Sequence, residues 1–113
     1  MKLLQNKVAI VTGGSSGIGR ATALLFAREG ARVVVADMND SAGQTVVDEI
    51  RHAGGEAFFR HVDVRSDEDC AALVEVTLGH YGQLDVAFNN AGIGGKKHRW
   101  RTRHWRSGAT CWM

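Results

Sequence analysis

The chain has 113 residues, of which 44% are apolar and 23% charged, with a formal net charge of +2. These are the values of a soluble globular protein with room for one domain and a modest core. No apolar run approaches the length of a membrane span, and Cys70 and Cys111 form neither a metal spacing nor a disulfide framework.

Met1 to Lys7 lacks the apolar centre of a signal peptide, so the expected location is cytoplasmic. Lys7 to Thr12 reads as a short buried strand, β-branched and ended by glycine. The pattern from Gly17 to Glu29 predicts a helix with Ile18, Ala21, Leu25 and Phe26 on its inner side and Gly30 as its stop. Arg32 to Asp37 is a second continuous apolar strand. Asp40 or Ser41 is placed to cap a second helix, in which Ala42, Val46, Ile50 and Ala53 recur at helical spacing before Gly54-Gly55. Glu56 to Val62 predicts a third strand, ending at Asp63. Ser66 or Asp67 caps a third helix with Cys70, Leu73, Val74, Thr77 and Tyr81 on one face and Gly82 after it. Leu84 to Phe88 is the fourth strand and runs into Asn89-Asn90-Ala91-Gly92.

Alternation of strand and helix with right-handed crossovers predicts an α/β fold, a truncated Rossmann-like three-layer sandwich. Its parallel sheet has about four strands in the order 3-2-1-4, with helices on both faces and a cleft at the carboxyl ends of the strands. The polar landmarks (the glycine turn, Asp37, Asp63 and Asn89-Asn90) all fall at those ends.

Thr12-Gly13-Gly14-Ser15-Ser16-Gly17-Ile18-Gly19 joins the first strand to the first helix. Gly13 can turn the chain sharply off the strand. Gly17 has no side chain to hold a pyrophosphate away from the backbone, and Gly19 allows helix and strand to pack closely. The helix then directs its unpaired N–H groups and positive dipole end at the anion. Three glycines are weak evidence by themselves. The preceding strand, the following helix and an acidic residue about 20 positions beyond Gly17, at Asp37, complete the dinucleotide fingerprint.

With Asp63-Val64 after strand three and Asn89-Asn90-Ala91-Gly92 after strand four, these residues resemble a short-chain dehydrogenase/reductase of the classical type, from about Leu4 to Gly92. The resemblance implies a nicotinamide cofactor and hydride transfer between an alcohol and a ketone. It implies that Gly13, Ser15, Ser16, Gly17, Ile18 and Gly19 bind the cofactor. Asp37, followed by Met38, would accept from both hydroxyls of the adenosine ribose and repel a 2′-phosphate. No Lys or Arg stands at Ser15, Ser16, Met38 or Asn39 to attract that phosphate, so NAD is expected over NADP. Asp63 would accept from the adenine amino group while the Val64 backbone reads the ring edge; a plain turn residue is the competing reading of Asp63. Asn90, Ala91 and Gly92 would line the ribose and nicotinamide side, with Asn89 tying strands together. His52, His61 and His80 have no ligand spacing and read as surface or satisfied residues.

The same resemblance implies a catalytic Ser and a Tyr-x-x-x-Lys pair, the tyrosine giving a proton to the carbonyl oxygen and the lysine lowering its pKa. The one tyrosine, Tyr81, is followed four residues later by Asp85 and lies on the apolar face of the third helix. It reads as core. Catalytic residues are therefore expected to be absent, as are the family's oligomer surfaces. Residues 1–95 form the expected dinucleotide-binding half-domain and carry a net charge of −4, whereas 96–113 hold six basic residues, no acidic ones and all three tryptophans. That tail has two readings. One is a nucleic-acid arm, with basic residues on phosphates and tryptophans on bases, which would make the chain a non-catalytic NAD-binding module. The other, the favoured one, is a segment that is disordered or out of frame. Read from the third base of the His98 codon, synonymous choices permit Pro-Leu-Ala-Asp-Pro-Ala-Leu-Ala-Lys-Trp-Arg-Asp-Leu-Leu-Asp, which resembles the family's next helix. On that reading nucleic acid is not an expected partner.

Overall fold

The structure, a computed structural model, describes residues 3–15 and 17–90. Four strands and three helices alternate along it: β1 (Val8–Thr12), α1 (Gly17–Arg28), β2 (Arg32–Asp37), α2 (Asp40–His52), β3 (Glu56–His61), α3 (Asp67–Tyr81) and β4 (Val86–Asn89). The strands form one sheet in the order β3-β2-β1-β4. All pairings are parallel, with Ile10 beside Val34 and Ala87, and Val34 beside Phe58. The predicted architecture and strand order are those observed.

β1 is buried at all five positions, because a central parallel strand is covered on both faces. Side chains alternate between two apolar layers. Ala9, Val11, Val33, Val35 and Ala57 face Ala23 of α1 and Val46, Val47 and Ile50 of α2. Ile10, Val34 and Ala36 face Cys70, Leu73 and Val74 of α3 on the other side. Removing each such branched side chain from water contributes roughly 1.5–3 kcal/mol before entropic costs. The Phe26 and Phe88 rings meet edge-on at 6.4 Å and join α1 to β4. Close approach sets the position of α2: a methyl group on Gly43 would overlap the Phe59 ring of β3.

Helix ends follow from their local chemistry. The Asn39 side chain accepts from the Ala42 N–H at 3.0 Å and caps α2, so the cap lies one residue ahead of the predicted Asp40. Ser66 caps α3 by accepting from the Asp69 N–H, and Gly82, at φ 77°, closes that helix in the left-handed region.

The inner face of α1 differs in part from the predicted one: Phe26 packs against the core as expected, but Ile18, Ala21 and Leu25 do not. Gly19 and Ala23 are its buried residues, while Ile18 and Leu25 are 69% and 44% exposed and Ala21 is exposed. Small residues face the sheet here because the helix lies too close for larger ones. In α2, Val46 and Ile50 are buried as expected and Ala53 is exposed; Gly43 and Val47 complete the inner face.

Candidate functional site

The glycine turn begins where β1 ends. Gly13 takes φ 65° and donates its N–H to the Ala36 carbonyl at 2.8 Å, so the turn is fastened to β2. Gly14 is buried, and a Cβ there would stand 3.0 Å from Val35 Cγ1. Gly17 has φ 58° with open space where a Cβ would project. A Cβ on Gly19 would overlap the Gly13 carbonyl oxygen and come within 2.8 Å of Asn90 Nδ2. Two of the three fingerprint glycines are thus fixed by different demands: Gly19 by backbone contact, Gly17 by a left-handed conformation facing free space.

Electrostatics distinguish α1 from the other helices. No acidic residue occupies its first turn, whereas α2 begins with Asp40 and α3 with Asp67, Glu68 and Asp69. The positive dipole end of α1 is therefore not neutralised from within its own first turn. Ile18, exposed in that turn, stands beside the open space at Gly17.

Asp37 ends β2 at the mouth of this turn. Its Oδ2 accepts from the Ser15 N–H at 3.1 Å and from the Ser15 hydroxyl at 2.5 Å, and its Oδ1 accepts from the Asn39 N–H at 3.0 Å. Burial pushes the carboxyl pKa up, but the hydrogen bonds from Ser15, Asn39 and Met38 together outweigh it, and the net direction is down. The group is a fixed anion whose Oδ2 is already taken up by the two Ser15 donors, and whose Oδ1 accepts from the Asn39 N–H. Met38, 51% exposed, flanks it.

Asp63 follows β3, and Arg65 grips its carboxylate. Oδ1 accepts from the Arg65 N–H and Nε, and Oδ2 accepts from Nη2 at 2.9 Å. Those bonds hold the Asp63 pKa down at about 2. The Asp63 N–H donates to Asp69 Oδ2, which also ties the turn to α3. Val64 packs its side chain against the core layer under α3. Asp63 thus stabilises this turn through Arg65, with both acceptor sites of Oδ1 and one of the two of Oδ2 used.

At the end of β4, the buried Thr12 hydroxyl donates to Asn89 Oδ1 at 2.9 Å. Asn89 therefore ties strands together. The Asn90 N–H donates to both the carbonyl and the hydroxyl oxygen of Thr12 at 3.3 Å, and Asn90 Nδ2 reaches the Gly13 carbonyl at 3.5 Å. Asn90 thus braces the glycine turn through Thr12 and Gly13. Ser16, Ala91 and Gly92, together with the tail from 96 to 113, lie outside the described residues.

The structure brings Gly13, Ser15, Gly17, Ile18, Gly19, Asp37, Met38, Asp63 and Asn90 to the carboxyl edge of the sheet. Tyr81 is elsewhere. It packs between Phe58 and His80, with the Arg32 guanidinium 5.8 Å from its ring centre, at the amino edge where β2 starts. Burial raises its pKa, which keeps the phenol neutral. A groove of about 750 Å³ also opens at that amino edge, between Leu24, Ala27, Ile50 and Gly55, and no residue of the glycine turn lines it. Burial likewise pushes the Cys70 thiol up to about 11, as expected of an unreactive core residue. Among the described residues, no group of three or more His, Cys, Asp or Glu could hold a metal, and no helix is long and apolar enough to cross a membrane.

A parallel open sheet, a glycine turn leading into a helix and an acidic residue at the end of the second strand define a Rossmann-type α/β protein with a dinucleotide-class site. The short chain dehydrogenase family model matches residues 7–107. The chain belongs to the short-chain dehydrogenase family. Tropinone reductase-like 1 of Erythroxylum coca is 50% identical over 92 residues, covering 81% of this chain and 33% of the relative. Cyclohexanol dehydrogenase of Acinetobacter sp. (strain SE19) is 50% identical over 91 residues, covering 80% and 36%. Among solved structures, a hydroxysteroid dehydrogenase from Escherichia coli superposes with TM-score 0.78 at 45% identity, over 83% of this chain and 40% of the other. A short chain dehydrogenase from Mycobacterium avium gives TM-score 0.79 at 47% identity, over 82% and 35%. The chain thus spans about a third of the length of the curated relatives it matches.

Proposed function

We propose that this chain is the NAD-holding part of a short-chain dehydrogenase. The observation that carries the reading is the Asp37 carboxylate, held in place by Ser15 at the mouth of the glycine turn. An anion fixed there suits two ribose hydroxyls and opposes a 2′-phosphate, which favours NAD over NADP. The empty space at Gly17 and the acid-free first turn of α1 fit a diphosphate. Asp63 and the Val64 backbone would meet the adenine, with Arg65 giving up part of its hold. Asn90, Ala91 and Gly92 would border the nicotinamide ribose.

Bound NAD would supply a hydride acceptor for alcohol oxidation, or a donor for ketone reduction once reduced. The residues of this chain bind and orient the cofactor. The 113 residues contain no Tyr-x-x-x-Lys, since Asp85 stands four places after Tyr81. On this reading the chain by itself leaves a carbonyl without a proton donor, and residues 96–113 contribute nothing to the chemistry. Residues 1–95 are the working half-domain. The cytoplasm, where NAD is available, is the proposed location.

Calorimetric titration of the purified chain with NAD, followed by an alcohol oxidation assay, tests the proposal. Binding of NAD without turnover is the expected result. A folded chain with no affinity for NAD overturns the cofactor reading, and turnover without an added protein overturns the incompleteness. Reading the coding DNA beyond the His98 codon tests the tail: a dehydrogenase helix in the alternative frame is expected, and a frame without one removes that explanation.

A further inference from the structure

Asp37 and His61 are partners in the parallel register of β2 and β3. Paired positions in a parallel ladder project from the same face of the sheet. Here it is the face covered by α1 and α2, the one served by Val33 and Val35 ahead of Asp37 and by Ala57 and Phe59 ahead of His61. His61 Nδ1 lies 2.6 Å from Asp40 Oδ1 in the first turn of α2. Asp37 in turn holds Ser15 of the glycine turn. Ser15, Asp37, Asp40 and His61 therefore occupy one rim at the carboxyl edge of the sheet, and His61 is the member whose charge changes near neutral pH.

The geometry points to His61 as a specificity-determining residue, whose charge sets how strongly this rim repels a 2′-phosphate on the adenosine ribose. The inference rests on Asp37 being the ribose acceptor. With a neutral imidazole, Asp37 and Asp40 present two uncompensated negative charges to that phosphate. A protonated imidazole cancels one of them. The groups around the ring are Asp40 from α2, Asp37 across the ladder, Asp63 beyond β3 and Asp69 from α3, with Arg65 committed to Asp63. Arg60 precedes His61 and projects from the opposite face of β3. The hydrogen bond to Asp40 raises the His61 pKa above its ordinary value; the slight burial opposes this, and the charges of Asp40, Asp69 and Asp63 add to the rise. Preference for NAD over NADP is therefore strongest at alkaline pH and relaxes as the solution is acidified through the His61 titration.

The test is calorimetric titration of the full chain with NAD and with NADP at about pH 5.5 and about pH 8.5, on either side of histidine titration. It uses the wild type, His61→Gln and Asp40→Asn. The 2′-phosphate gains a proton of its own near about pH 6, so the wild type is compared with His61→Gln. Between the two pH values, the ratio of the NADP Kd to the NAD Kd is expected to rise about two- to threefold more in the wild type, the effect of one screened charge several ångströms away. Asp40→Asn should lower that ratio at about pH 8.5 and move the His61 ring titration, followed by NMR, to lower pH. An identical pH dependence in wild type and His61→Gln, with NAD binding intact, overturns this inference alone. A His61 titration unmoved by Asp40→Asn also overturns it. Failure of the folded wild type to bind NAD at either pH removes the cofactor reading and this inference with it.

Discussion

Ser15 donates twice to one oxygen of Asp37, across 22 positions of sequence, and so locks the turn after β1 to the end of β2. The carboxylate is oriented before any ligand arrives. Replacing Asp37 by Ser should weaken NAD binding by about tenfold or more, since charged hydrogen bonds are worth roughly 1.5–3 kcal/mol. NADP should lose much less, because a repulsion disappears along with the attraction. Paired titrations with the two nucleotides check this.

Gly19 and Gly17 separate stability from binding. An alanine at 19 meets the Gly13 backbone, and overpacking of this kind costs roughly 1–3 kcal/mol. The urea midpoint of Gly19→Ala should fall accordingly. An alanine at 17 meets nothing, and its positive φ costs roughly 1–2 kcal/mol. It does, however, project into the space proposed for the diphosphate. Gly17→Ala should therefore lose more NAD affinity than its change in urea midpoint accounts for.

Thr12→Val keeps the shape of a buried side chain and removes its hydroxyl. Asn89 Oδ1 loses its donor and Asn90 N–H loses one acceptor. An unsatisfied, partly buried polar group costs about 1–3 kcal/mol. The midpoint should drop by an amount in that range, and amide exchange should quicken first at Asn89 and Asn90, where β1 holds β4.

Stability should respond to acid and base in opposite ways. Asp37 and Asp63 have depressed pKa values in the fold, that of Asp63 at about 2. Their contribution is present above the unfolded value of about 3.9 and is lost as pH falls through the folded values. His61 is raised, so its contribution is complete below about 6.5 and fades as pH rises through the folded value. Urea midpoints should be highest between those limits as far as these three groups decide it. Asp37→Asn should flatten the acid limb, and His61→Gln the alkaline one.

Much of this arrangement was legible in the sequence, for identifiable reasons. Val8 to Val11 and Val33 to Ala36 are apolar runs too short for helices, and a glycine or acidic residue ends each. The position of Asp37 at the end of β2 is legible from its distance to the glycine turn, because one helix and one strand have a nearly fixed combined length. On α1 the sequence points correctly to Phe26, but size misleads elsewhere: Ile18 and Leu25 are larger than Gly19 and Ala23, yet the latter face the sheet. The cap of α2 is ambiguous in the sequence, since Asn39, Asp40 and Ser41 are each able to cap and the fold uses Asn39. Contacts such as Asn90 with Gly13, 77 positions apart, or His61 with Asp40, come from sheet register and leave no local trace. Arg65 closing on Asp63 could have been suspected, since the two stand two apart in a turn with opposite charges.

The contact between Gly43 and the Phe59 ring has an implication for how this lineage can change. Neither position is free to drift while the other stays as it is. A descendant that gains a side chain at 43 must first, or simultaneously, trade the aromatic ring at 59 for something smaller. Across relatives, variation at the two sites should be correlated, with bulk appearing at one only where it has vanished from the other.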